Sequence, residues 1–80
     1  MMHRLKTDKK VVGTKQTIKV LKKGTATVVY IAQDADERVI RQVIDLAKDQ
    51  ELPVITVDTM VQLGKECNIE VKTATAATIY

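Results

Sequence analysis

The 80-residue sequence contains no serine, phenylalanine or tryptophan, and it has one cysteine and one histidine. The absence of serine excludes a serine nucleophile, and a single thiol cannot build a disulfide framework. Zinc sites use three or four Cys or His ligands at characteristic spacings, which Cys67 and His3 cannot supply. Cys67 falls on the apolar face of a predicted helix, so we expect it to be a packed core residue. We therefore expect no metal site.

Aromatic residues, glycines and long apolar runs are also scarce. Only Tyr30 and Tyr80 are aromatic, which disfavours base stacking on an exposed sheet or on a single-strand platform. The chain has no Gly-x-Gly-x-x-Gly or Walker-type loop, so we expect no nucleotide cofactor. No run approaches the roughly 18 apolar residues of a membrane span. The charged first ten residues lack the apolar segment of a signal peptide, and we expect a cytoplasmic protein without a membrane partner.

The charge is distributed unevenly along the chain. Residues 1–23 carry eight basic side chains and one acidic side chain, whereas residues 24–80 carry five basic and nine acidic ones. The modest net charge of +3 is therefore the sum of a strongly basic N-terminal segment and a mildly acidic remainder. Such asymmetry indicates a surface that faces a polyanion. A solvated basic face without any partner stays open as the alternative.

Apolar side chains recur at helical spacing in three segments. The spacing predicts a helix over Thr14–Lys23 and two more helices that begin after Asp34 and Asp58. Asp34, with Glu37 three residues later, resembles a capping box, and we expect Asp34 and Asp58 to be the N-caps. Asp34, Asp36 and Glu37 could instead form a carboxylate cluster for Mg²⁺ or acid–base chemistry. Capping is the simpler interpretation, because acidic residues stabilise a first helical turn.

Four runs rich in β-forming residues alternate with these helices: Lys10–Val12, part of residues 25–32, residues 53–57 and residues 74–80. The run Val28–Ala32 is apolar at every position, so we expect a strand covered on both faces, with Tyr30 in the core. Strict alternation of strands and helices predicts an α/β protein. We expect a three-layer α/β/α sandwich with a mixed four-stranded sheet, forming one domain over residues 1–80.

The first predicted helix carries the most informative pattern. It is entered through Gly13 and closed by Gly24, and Lys15 and Gln16 lie on its first turn with Lys19 beside them. Free backbone N–H groups at a helix start suit phosphate. Lys can bond guanine O6 and N7, and Gln can bond adenine N6 and N7. Regular A-form RNA hides these edges, so the partner would need a bulged or kinked element.

The loop Ile69–Lys72 follows the third predicted helix. Its apolar residues, Ile69 and Val71, could cover an extruded base, or they could equally tuck into the core. Asn68, just before the loop, suits the left-handed conformation that ends a helix.

Three segments of the chain resemble a known family: Gly13–Lys19, Ile31–Asp36 and Leu63–Val71. They are similar to the kink-turn-binding large-subunit ribosomal proteins of the L-seven-Ae and L-thirty-e kind, and most of all to a short bacterial branch of ribosomal-protein-like RNA binders. The resemblance implies an α/β/α sandwich that binds a kink-turn. This RNA is a helix–bulge–helix element with tandem sheared G·A pairs.

The resemblance also implies roles for particular residues. The glycine matching Gly13 permits close approach to the RNA backbone, and the residues matching Lys15, Gln16 and Lys19 contact guanine edges of the sheared pairs. The loop matching Ile69–Val71 packs on a flipped-out nucleotide. The complete predicted RNA-binding set is Gly13, Thr14, Lys15, Gln16, Lys19, Lys22, Lys23, Ile69, Glu70, Val71 and Lys72.

From the residues and the resemblance together, we expect a non-enzymatic, monomeric RNA-binding protein. Its partner would be a kink-turn in ribosomal RNA or in an mRNA leader, and not DNA. Two alternatives of a different kind stay open. One is a basic-faced protein-interaction module or an accessory factor of the ribosome without kink-turn specificity. The other is a small enzyme built on Asp34, Glu37 or Cys67.

Overall fold

The computed structural model describes residues 9–79, which form a sheet of four strands with three helices. The elements are β1 Lys10–Val12, α1 Thr14–Lys23, β2 Ala26–Ala32, α2 Glu37–Asp49, β3 Val54–Val57, α3 Met60–Glu66 and β4 Thr75–Ile79. The predicted order of strands and helices is confirmed. His3 and Tyr80 lie outside the described residues.

The sheet is mixed, as predicted, and its strand order is β1-β4-β2-β3. β2 and β3 are parallel, whereas β4 runs antiparallel to both of its neighbours, β1 and β2. The last residues of β1, β2 and β3 therefore meet the first residue of β4 at one end of the sheet. We call this the upper end. It carries the β1–α1 junction and the loops that join β2 to α2, β3 to α3 and α3 to β4.

The helices cover both faces of the sheet, which confirms the three-layer α/β/α sandwich. α1 and α2 pack on the face that carries Val29 and Ile31, and α3 packs on the face that carries Tyr30 and Ala32. All four of these β2 residues are buried. Strand β2 is therefore apolar at successive positions because each of its faces lies under a helix.

The first residues of α2 and α3 differ from the prediction. Asp36, and not Asp34, is the N-cap of α2, and its carboxylate accepts a hydrogen bond from the backbone N–H of Arg38 at 2.8 Å. The prediction for Asp34 is wrong because the chain turns before the helix starts: the N–H of Gln33 donates to Val57 and that of Ala35 donates to Ala32. Asp34 therefore lies in a turn between β2 and α2.

The cap of α3 is likewise shifted by one residue. Thr59 is the N-cap, and its Oγ1 accepts from the N–H of Gln62 at 3.0 Å, so the prediction for Asp58 is wrong. Asp34 supplies the reason, because its Oδ1 accepts from the N–H of Met60 at 2.8 Å and fixes the first helical residue there. Asp34 thus joins the β2–α2 loop to the start of α3.

The predicted left-handed helix ends are confirmed. Gly24 follows α1 with φ of 77°, and its N–H donates to Leu21. Asn68 has φ of 63° and lies just after α3. The backbone can therefore turn away after each helix with its last carbonyl groups paired.

Candidate nucleic-acid interface

Gly13 holds a backbone conformation that only glycine adopts without strain. Its φ is 100° and its ψ is 153°, and its N–H donates to the carbonyl oxygen of Thr75 at 2.9 Å. A Cβ atom built on Gly13 would have no heavy atom within 4 Å apart from those of Gly13 itself and its two chain neighbours. The requirement for glycine is therefore conformational, and the space in front of this backbone is open to a ligand.

The first turn of α1 has unpaired backbone donors. The helix has no side-chain cap, and its first intrahelical bond runs from the N–H of Thr17 to the carbonyl of Gly13 at 2.9 Å. The N–H groups of residues 14–16 precede that bond and have no intrahelical acceptor. The turn also has no acidic residue. These donors, with the positive end of the helix dipole, favour an anion such as phosphate.

Side chains of the first two turns of α1 divide by exposure. Lys15, Gln16 and Lys19 are exposed, whereas Thr17 is completely buried behind them. Lys15 and Lys19 are four residues apart and therefore lie on one side of the helix. The exposure that the RNA-binding prediction requires of these three residues is present. Lys22 and Lys23 are also exposed, in the last turn.

The two apolar residues of the α3–β4 loop, Ile69 and Val71, differ in burial. Ile69 is half-buried and packs against the core cluster on the α3 face of the sheet. Val71 is 67% exposed and contributes little to the core. Glu70 and Lys72 are exposed on either side of it. Ile69 thus anchors the loop, and Val71 presents an apolar surface to solvent.

Gly64 is a determinant of this loop that sequence reasoning missed. A Cβ atom on Gly64 would overlap the carbonyl oxygen of Val71 and lie 3.2 Å from its carbonyl carbon. The N–H of Thr73 also donates to the carbonyl of Met60 at 3.2 Å, so the loop lies directly over α3. The sequence does contain a signal for this role. A glycine inside a predicted helix lowers helix stability, so its presence indicates that another part of the chain packs closely against it.

The structure brings the first turn of α1 and the α3–β4 loop together at the upper end of the sheet. Thr75, the first residue of β4, accepts from Gly13 through its carbonyl oxygen, and the loop ends immediately before it. The start of α1 and the loop containing Ile69–Lys72 therefore lie at the same end of the sheet. Lys22 and Lys23 lie at the opposite end of α1, roughly 10 Å along the helix axis from Lys15.

The sequence of the whole chain, residues 1–80, matches the Ribosomal protein L7Ae/L30e/S12e/Gadd45 family. The chain belongs to this family. The predicted resemblance is thereby confirmed, and the α/β architecture of residues 9–79 agrees with it.

Relatives within the family share much of this sequence. An RNA-binding protein of Geobacillus sp. strain WCH70 is 48% identical over 94% of this chain and 92% of the relative. The RNA-binding protein YbxF of Geobacillus stearothermophilus is 48% identical over 91% of this chain and 89% of the relative. The predicted similarity to the short bacterial branch is thus confirmed.

A solved structure with detectable sequence similarity has the same fold. The 15.5 kD RNA binding protein of Giardia lamblia superposes with a TM-score of 0.82 at 26% sequence identity. The match covers 90% of this chain and 61% of the Giardia chain, so the present chain spans about three fifths of that structure.

The side chains considered for an enzyme lie in the core or near helix starts: Cys67 is buried, Asp34 accepts from the start of α3, and Glu37 is the first residue of α2. Cys67 is 1% exposed, and burial raises the pKa of its thiol, an effect that nearby Lys10 opposes and Glu66 adds to. A buried neutral thiol is a poor nucleophile. Asp34 and Asp36 accept hydrogen bonds at helix starts. Within residues 9–79, no group of three or more His, Cys, Asp or Glu side chains is placed to hold a metal ion.

None of the three helices in residues 9–79 is long and apolar enough to cross a membrane.

Proposed function

We propose that this chain binds kink-turn RNA, holding the bulge between the first turn of α1 and the α3–β4 loop. One observation carries the proposal. The hydrogen bond from Gly13 to Thr75 joins an uncapped helix start to β4, at the end of the sheet where the α3–β4 loop presents an exposed Val71. The first element suits phosphate and base edges, and the second suits an unstacked base.

The exposed side chains of α1 supply the contacts to base edges in this proposal. Lys15, Gln16 and Lys19 are long polar residues on the open side of the first two turns. Each can reach a purine edge that is displayed outside a regular helix. A kinked, bulged element displays such edges, whereas a regular A-form duplex hides them in its narrow major groove. The proposed specificity is therefore for the kink and not for duplex RNA in general.

The α3–β4 loop contacts the bulge in this proposal. Val71 offers an apolar surface for the face of a flipped-out base, and Ile69 fixes the loop from below. Glu70 can accept a hydrogen bond from a base amino group, and Lys72 can contact a neighbouring phosphate. The open position in front of Gly13, flanked by Thr14, lets the RNA backbone approach closely.

Lys22 and Lys23 contact phosphates of an adjoining stem. They are exposed at the end of α1, where a phosphate contact positions the RNA without reading its sequence. The proposed target is a kink-turn in ribosomal RNA or in an mRNA leader, bound by a monomer in the cytoplasm. A regular DNA duplex has neither the kink nor the extruded nucleotide, so we do not propose DNA as a partner.

A gel-shift titration tests the proposal. One RNA carries a kink-turn, and its matched control is the same RNA with the sheared G·A pairs replaced by Watson–Crick pairs. We expect at least about tenfold tighter binding to the kink-turn, which corresponds to about 1.4 kcal/mol. Equal affinities for the two RNAs would overturn the proposal, because they would show that the basic surface responds to charge alone.

A further inference from the structure

Three threonines are buried directly beneath the upper end of the sheet. Thr17 and Thr75 are fully buried, and Thr73 is 7% exposed. Among residues 9–79, no buried side-chain polar atom is without a hydrogen-bond partner. Hydroxyl groups at such positions cost desolvation and are retained only where their bonds are made. The hydrogen bonds of these three hydroxyl groups connect the two halves of the proposed RNA site, which are the start of α1 and the α3–β4 loop.

The carbonyl oxygen of Thr75 is shared by donors from both halves of that site. It accepts from the backbone N–H of Gly13 at 2.9 Å, at the start of α1. It also accepts from Oγ1 of Thr73 at 2.9 Å, at the end of the α3–β4 loop. One acceptor thus fixes the distance between the helix start and the loop.

The hydroxyl of Thr75 adds a second link to α1. Its Oγ1 donates to Oγ1 of Thr17 at 3.2 Å and lies 3.5 Å from Oγ1 of Thr14. Thr17 lies one turn into the helix, with its backbone N–H bonded to Gly13. The rotation of the first turn about the helix axis is therefore fixed relative to β4. Hydrogen bonds are directional, so they determine this rotation more narrowly than apolar packing does.

We propose that Thr73, Thr75 and Thr17 are positioning residues for RNA binding. They hold the first turn of α1 and the α3–β4 loop at the separation that a bulged RNA requires, and they do not touch the RNA themselves. The inference rests on the proposed function. It adds that affinity for the kinked RNA depends on a buried hydroxyl cluster behind the binding surface.

Thr73 is suited to a test, because removing its hydroxyl group leaves no buried hydrogen-bonding group without a partner. Valine at this position keeps the shape but loses the hydroxyl, and the carbonyl of Thr75 still has the N–H of Gly13. Thr78, a buried threonine on β4, provides a matched control. It is 2% exposed, and its hydroxyl pairs with that of Thr27 at 2.7 Å, away from the upper end.

The experiment compares Thr73→Val, Thr73→Ser and Thr78→Val with the unmodified chain. Affinities for kinked and Watson–Crick control RNAs, the melting temperature and amide hydrogen exchange over residues 69–72 are measured. We expect both valine variants to melt at lower temperature. Only Thr73→Val should weaken kink-turn binding, by about two- to tenfold, as the loss of one hydrogen bond implies. Thr73→Ser should restore the affinity, and loop exchange should be faster only in Thr73→Val.

A second measurement separates positioning from general stability. If Thr73 holds the loop for the RNA, Val71→Ala should weaken binding less in the Thr73→Val background than in the unmodified chain, because the loop contact is already impaired. Additive effects would contradict the positioning role. So would unchanged affinity and unchanged loop exchange in Thr73→Val.

The possible failures are distinguishable. If the unmodified chain does not prefer the kinked RNA, the proposed function fails. If the preference is present and Thr73→Val retains it in full, the positioning role alone is overturned. Equal losses of affinity in Thr73→Val and Thr78→Val would also overturn it, since the effect would then follow from stability.

Discussion

Lys19 is the residue on which base-edge reading depends most directly in the proposed site. It is exposed and lies four residues after Lys15, one helical turn away from the unpaired N–H groups of the helix start. A phosphate held at those groups would leave Lys19 facing the adjacent groove. The side chain can therefore contribute a directional bond to a base in addition to its charge.

We predict that Lys19→Ala weakens binding to kink-turn RNA by about 1–3 kcal/mol, the usual value of a base-edge contact. The measurement is a titration with kinked RNA and with its Watson–Crick control. Lys48→Ala is a suitable comparison, because Lys48 is an exposed lysine in the last turn of α2. A change within error for Lys19→Ala would remove this residue from base recognition.

Cys67 allows a prediction about pH. Because burial raises the pKa of its thiol, the folded chain favours the neutral form more than the unfolded chain does. The resulting stabilisation is complete below the pKa of an unfolded thiol, about 8.5. It is lost as the pH rises through the higher pKa of the folded thiol.

The stability advantage of the unmodified chain over Cys67→Ala should therefore shrink between pH 7 and pH 10. Urea unfolding midpoints of both chains across this range provide the measurement, and the variant serves as the control for lysine titration. A constant difference between the two chains would show that the thiol ionises equally in both states.

At the scale of elements, the candidate site consists of a helix start and a loop that depends on the helix beneath it. The α3–β4 loop is held by the bonds from Thr73 to Met60 and from Ile69 to Gly64, and by the close passage of Val71 over Gly64. A loop bound at three points presents Val71 in one place. Such preorganisation lowers the entropy lost on binding.

Gly64→Ala should therefore impair both the fold and RNA binding. The added methyl group overlaps the carbonyl of Val71, so the loop must move. We expect a net destabilisation of about 1–3 kcal/mol, although alanine would normally stabilise a helix interior. Urea denaturation and RNA titration are the measurements. Val61→Ala, on an exposed position of the same helix, should leave stability nearly unchanged.

A Gly64→Ala chain with higher stability and unchanged affinity would contradict this account of the loop. A chain that keeps its stability but loses affinity would still support the loop's role, because the methyl group would then have displaced only the binding surface.

Sequence patterning predicted the elements well and their contacts less well. Apolar spacing located α1 at its observed bounds, and the unbroken apolar run of β2 indicated a strand covered on both faces. The predicted N-caps of α2 and α3 differ from the observed ones because several residues able to cap a helix lie close together at each helix start. The choice among them depends on the bond from Met60 to Asp34, which joins residues 26 positions apart.

The exposure of the candidate site residues was predictable to a similar extent. Exposure of Lys15, Gln16 and Lys19 followed from helical periodicity. The sequence did not predict that Ile69 packs against the core while Val71 is exposed, because a loop has no periodicity that assigns its side chains to a face. The role of Thr75 depends on which strand lies beside β1, and local sequence does not specify strand order. The role of Gly64 depends on how the loop after α3 folds back over that helix.

At the scale of the whole molecule, α1 carries positive charge that no acidic residue of the same helix balances. α1 carries four lysines and no acidic residue, and the chain has a net charge of only +3. The field at this helix attracts a polyanion, while the acidic residues elsewhere limit binding to unrelated surfaces. Lys22 and Lys23 contribute to this field at the end of α1 away from the unpaired N–H groups.

We predict that replacing both Lys22 and Lys23 by alanine lowers affinity for kinked and control RNAs alike. The slope of log K against log salt concentration should become shallower by about one to two, since each lost phosphate contact removes slightly less than one unit. Titrations between about 50 and 200 mM salt measure it. Arg41→Ala, on an exposed position of α2, should leave the slope unchanged. A selective loss of kink-turn binding in the double variant would show that these lysines read structure.

The central position of β4 has a consequence for synthesis of the protein. β4 is the last element among residues 9–79, yet it lies between β1 and β2 and provides the partner for Gly13. A nascent chain lacking β4 cannot pair β1, so the helix start stays unanchored while translation proceeds. Under the proposed function, RNA binding should thus arise only once that strand has left the exit tunnel, and incomplete chains should leave transcripts near their own ribosome unoccupied.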